Sequence, residues 1–138
     1  MIIRYLGFIT VGIMFLFIVG CSHSNNAKNY TPSKTDIVNR NNGNLENETR
    51  LIEFIRNMET GHKDSIRVVA YTKEGDPILT DLTFKGEQLE VTSDNTRDKY
   101  GGGQIKTFEC EKVVVEGKKY SIIGCEGLET PYYLAEGN

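Results

Sequence analysis

The sequence predicts an α+β domain: an antiparallel meander sheet of about five strands with one amphipathic helix packed on one face, preceded by a signal peptide. Three observations carry this. An uncharged apolar run ends abruptly at Cys21, one stretch between residues 45 and 60 has helical apolar spacing, and from Ser65 the apolar period changes to two. The 138 residues suffice for one ordinary domain. Of the 53 apolar residues, 15 lie in the first 20 positions, so the rest of the chain is polar and cannot build a large core. A net charge of −3 provides no basic footprint, and no nucleic-acid partner is expected.

Residues 1–20 read as a lipoprotein signal peptide. Arg4 and the amino terminus form a short positive region, and Tyr5 to Val19 is an uncharged, mostly apolar stretch. Fifteen residues are short of the roughly 20 that a spanning helix needs. Ile18-Val19-Gly20-Cys21 resembles the lipobox of bacterial lipoproteins. The resemblance implies cleavage just before Cys21 and a diacylglyceryl thioether on its sulfur. Two acyl chains would anchor the protein stably at the extracytoplasmic face of the cell membrane. An uncleaved membrane helix is the competing reading, and the polar residues directly after Cys21 argue against it.

Residues 21–43 are expected to be the lipidated cysteine and a flexible tether. Positions 22–36 contain only Ala27 and Tyr30 as apolar residues, too little to offset ordering entropy. His23 lies here and is assigned no role. Ile37-Val38 suits a brief strand at most.

The single α+β domain is expected over 44–136. Asn44 is placed as the helix cap, with Glu46 and Glu48 in the first turn. Leu51, Ile52, Phe54, Ile55 and Met58 form the apolar stripe of a helix over 45–60, which Gly61 ends. His62, just past it, reads as structural. Strands are predicted at 66–72, 78–85, 88–93, 104–116 and 119–126, with a short edge strand at 132–135. A turn at Gly86-Glu87 sets Phe84 against Leu89 and Leu82 against Val91. A turn at Gly117-Lys118 sets Val115 against Tyr120, Val113 against Ile122 and Cys110 against Cys125. That register makes the cysteines a hydrogen-bonded pair, about 5.5 Å between α-carbons, unless a bulge near Gly124 shifts it. In an exported domain this predicts a Cys110–Cys125 disulfide. A redox pair or metal site lacks support, since there is no C-x-x-C and no nearby histidine in sequence.

No catalytic constellation stands out: there is no G-x-S-x-G, P-loop, H-E-x-x-H or EF-hand, and no cofactor is expected. Two polar loops remain. Residues 94–98 hold a possible ligand set, Asp94, Asn95, Arg97 and Asp98, and residues 72–77 hold Glu74 and Asp76. Asp94, Asn95 and Asp98 offer hard oxygen atoms to a cation such as calcium, although such Asx-rich turns usually bond to their own backbone. The four acids could do acid–base work if held together. The meander is expected to put the two loops at opposite ends of the sheet, which would prevent a shared site.

Tyr71-Thr72-Lys73-Glu74-Gly75-Asp76-Pro77-Ile78, Asp94-Asn95-Thr96-Arg97-Asp98 and the late Cys110…Gly124-Cys125 resemble an uncharacterised family of small lipoproteins of spore-forming, low-GC Gram-positive bacteria, domain of unknown function 4362. The resemblance spans roughly residues 45–130. It implies one extracytoplasmic domain and no activity or ligand. The expected function is a membrane-anchored binding or accessory module with an envelope-protein or cell-wall partner. The alternatives are a calcium-binding sensor and an acidic-loop hydrolase.

Overall fold

The computed structural model describes residues 30–40 and 43–138. The signal peptide and Cys21 lie outside the described residues. The elements are β1 (Ile37–Arg40), β2 (Asn44–Glu46), α1 (Glu48–Glu59), β3 (Asp64–Tyr71), β4 (Pro77–Phe84), β5 (Leu89–Asp94), β6 (Ile105–Cys110), β7 (Lys112–Glu116), β8 (Lys119–Ile123) and β9 (Tyr132–Glu136). They form a six-stranded sheet, β2-β1-β3-β4-β5-β6, and a three-stranded sheet, β7-β8-β9.

Alternation explains the larger sheet. Ile66, Leu82, Val91 and Phe108 lie opposite one another across β3 to β6, while one step away Arg67, Asp81, Thr92 and Thr107 form a polar row. The apolar face joins Leu51, Phe54 and Met58 of α1, and Val113, Tyr120, Ile122 and Leu134 of the smaller sheet, in one core. The other face is open. Both predicted hairpin registers hold: Phe84 pairs with Leu89, Leu82 with Val91, Val115 with Tyr120 and Val113 with Ile122. Gly117 takes φ +62 in its turn, a conformation that glycine adopts without strain.

Several expectations need correction. The sheet is mixed, because β1 pairs parallel with β3, and among the described residues nine strands in two sheets replace the single meander of about five with its short edge strand. The segment read as the end of the tether is part of the domain. Ile37 and Val38 are buried, and β1 sits between β2 and β3. The domain therefore begins well before residue 44.

Asn44–Glu46 is a strand, not the first helical turn, because Leu45 is needed in the core. The helix starts after Asn47, which takes φ 59 and makes no side-chain cap bond to the helix; its amide donates instead to the carbonyls of Lys34 and Asp36. Ile52, placed in the apolar stripe, is 53% exposed. The outer edge of β2 is closed by Asn138, whose side-chain amide accepts from Leu45 N–H and donates to Leu45 C=O, as a neighbouring strand would.

The segment read as one strand over 104–116 breaks at Glu111, and its halves join different sheets. The Cys110–Cys125 disulfide clamps this junction, with α-carbons 3.9 Å apart. The cysteines are not the hydrogen-bonded pair expected from the hairpin. Glu126 N–H donates to Glu109 C=O and Glu111 N–H to Ile123 C=O, bonds that bracket the pair, and Gly124 at φ +68 takes up the extra residue as a bulge.

Candidate functional site

The open face of the larger sheet is latched by the segment that precedes β1. Tyr30 is half-buried, and its hydroxyl donates to Asp36 Oδ2 at 2.5 Å and accepts from Arg67 at 3.3 Å. The Ser33 hydroxyl and N–H both donate to the Asp36 carboxylate. Arg67 also makes a two-pronged pair with Asp81, at 2.6 and 2.7 Å. The guanidinium groups of Arg67 and Arg97 lie 5.6 and 5.8 Å from the Tyr30 ring centre, a double cation–π contact. Asp36, Arg50, Arg67 and Asp81 also line an open groove of about 540 Å³, in which Arg50 is spent on Asp64 and Arg67 on Asp81.

This latch has a direct test in Lys34. Tyr30→Ala is expected to raise trypsin cleavage after Lys34 about tenfold, the factor that roughly 1.4 kcal/mol of lost docking gives. Tyr30→Phe keeps the ring between the two arginines and should fall between. Equal cleavage in all three forms would show that the ring holds nothing.

The two polar loops lie at the same end of the sheet, not at opposite ends. Two successive hairpins return the chain to the edge it left, so the exit of β3 and the exit of β5 are neighbours. Lys99 N–H donates to Asp76 Oδ2 at 3.2 Å across the gap. Asp94 accepts from the Thr96 N–H and hydroxyl and pairs with Arg97 at 2.6 Å. Asn95 accepts from Gln104 N–H and donates to Gly101 C=O, while Asp98 accepts from Tyr100 N–H. The loop oxygens are thus turned on their own backbone. Among the described residues no three His, Cys, Asp or Glu side chains gather as a metal site. Glu74 is exposed in the 72–76 turn.

On the opposite face, where the two sheets meet, lies a cleft of about 280 Å³ lined by Ser93, Asn95, Gln104, Lys106, Phe108, Leu128 and Tyr132. Tyr132 supplies its wall: its ring is tilted 46° to Phe108, and its hydroxyl donates to Ser93 and meets Thr80. The β6 alternation puts Lys106 on the Phe108 face, turned toward the smaller sheet. Its ammonium makes no ion pair among the described residues. Of the predicted loop residues only Asn95 reaches this cleft. The signal for Lys106 was present in the sequence, as the one charge on the inward side of Lys106-x-Phe108-x-Cys110.

Three carboxylates fix the charge state of this architecture. Burial pushes Asp36, Asp64 and Asp94 up, but hydrogen bonds outweigh it and hold all three below the usual range. The bonds come from Tyr30 and Ser33 to Asp36, from Arg50, Asn57 and Ser65 N–H to Asp64, and from Thr96 and Arg97 to Asp94. A carboxyl whose folded pKa is lowered adds stability above its unfolded value, and loses it as pH falls through the folded one. Thermal midpoints should therefore hold down to about pH 5 and drop below the ordinary value of 3.8, with a shallower drop in Asp64→Asn. An unchanged acid slope in that variant would remove Asp64 from the account.

The family model described as Domain of unknown function (DUF4362) matches residues 34–123. No curated protein and no solved structure matches the chain.

Proposed function

The chain belongs to the DUF4362 family, and from that premise we propose that it is a lipid-anchored extracytoplasmic lipoprotein whose domain is a binding or accessory module at the cell surface. The lipobox-like Ile18-Val19-Gly20-Cys21 supports the anchor. The observation that carries the binding reading is the cleft between the sheets. It joins Lys106, whose ammonium makes no ion pair among the described residues, to an aromatic wall of Phe108 and Tyr132. It is a binding feature rather than a catalytic one. Asp94, Asp98 and Asp76 accept hydrogen bonds from backbone N–H groups, Thr96 and Arg97, bonds that fasten the loops.

The test is retention of envelope proteins or cell-wall fragments by the immobilised full chain in detergent. Lys106→Gln combined with Gln104→Ala should abolish retention while leaving the thermal midpoint within a few degrees. Retention unaffected by that pair, but lost with Asp94, Arg97 and Asp98 all changed to Ala, would move the site to the loop. No retention by the unaltered chain would count against a binding module. A thermal midpoint raised by millimolar calcium would favour the sensor reading instead.

A further inference from the structure

We propose that the tip of the 95–104 loop rests on the membrane surface, with Tyr100 and Ile105 in the headgroup region. This deepens the anchoring reading and depends on it. Tyr30, the first described residue, lies on the open sheet face beside Arg97 of this loop. Eight residues lie between it and Cys21. Whatever their conformation, they span at most about 30 Å. The latch therefore holds the side where the chain enters within that distance of the lipid.

That side carries the two most exposed large apolar side chains among the described residues, Tyr100 at 80% and Ile105 at 63%. Ile105 pairs with Asp94, whose carboxylate holds Arg97, so it lies on the face that Tyr30 covers. Tyr100 is followed by Gly101, Gly102 and Gly103, which place no side chain between it and a flat surface. Tyrosine is favoured at the headgroup level, where its ring is half-apolar and its hydroxyl stays wet. Charges at this end give no positive excess, with Lys73, Arg97 and Lys99 against Glu74, Asp76, Asp94 and Asp98. Contact therefore rests on the two apolar side chains, and salt should weaken it little. Lys106 and Phe108 alternate with Ile105 along β6 and lie on its other face.

The chain has no tryptophan, so Tyr100→Trp introduces a single reporter. The lipidated full chain would be reconstituted in vesicles of phosphatidylglycerol and phosphatidylcholine. Ile52→Trp, on the exposed side of α1, is the control. The expected result is that both variants float with the vesicles, and that only Tyr100→Trp shifts to shorter wavelength and is quenched by brominated acyl chains. Flotation with equal, unquenched emission from both variants would overturn the resting surface and leave the anchor standing. Failure to float would overturn the anchor and the surface together.

Discussion

Replacing Cys110 and Cys125 together by serine is expected to lower the thermal midpoint by about 15 °C. The disulfide closes a 15-residue separation. In the chain-entropy description a loop of that length contributes about 3 kcal/mol, a large share of the 5–15 kcal/mol that holds a small domain together. Its position adds to the effect. The chain leaves the six-stranded sheet at Cys110 and enters the smaller sheet at Lys112, so the bond ties together two sheets that share one core. Both cysteines are buried, at 5% and 8% exposure, so reductant should act slowly on the folded domain. A midpoint within about 3 °C of the parent would mean that the bond constrains nothing the hairpin does not already hold.

Phe54→Ala is expected to cost about 3–5 kcal/mol, the largest single effect in the domain. Phe54 is wholly buried, and with Leu51 and Met58 it is the part of α1 that closes the apolar face of the sheet. Removing the ring leaves a cavity between helix and strands that close-packed neighbours only partly fill. Ile52→Ala is the internal comparison, because Ile52 is 53% exposed on the same helix, and its loss should stay within about 0.5 kcal/mol. Chemical denaturation of the two variants measures the difference. Equal costs would contradict the orientation of α1.

Local pairing was legible in the sequence, and long-range pairing was not. The Gly86-Glu87 and Gly117-Lys118 turns fix their hairpins through neighbouring residues, so alternation alone recovered the registers and brought the cysteines together. The parallel insertion of β1 depends on contacts between Ile37–Asn39 and Val68–Ala70, which no local pattern announces. Asn44 resembles a cap, but burying Leu45 in the core outweighs that local preference. The break at Glu111 was hidden because β6 and β7 both alternate, and only their membership of different sheets separates them.

The candidate site divides in the same way. Asp94, Asn95, Arg97 and Asp98 were found from their chemistry, yet their main bonds fasten a loop and the Tyr30 latch. Tyr30 was assigned to the tether because its sequence neighbours are polar; its partners, Arg67 and Arg97, lie 37 and 67 positions away. The cleft needed Tyr132 to be placed against Phe108 across two sheets.

The anchor is tested most directly by the mass and the first residue of the mature chain purified from its native envelope. The predicted chain begins at Cys21, carries a diacylglyceryl thioether there, and contains an oxidised Cys110–Cys125 pair. A chain that still begins at Met1, or a Cys21 with a free thiol, would contradict the lipoprotein reading and remove the membrane from the account.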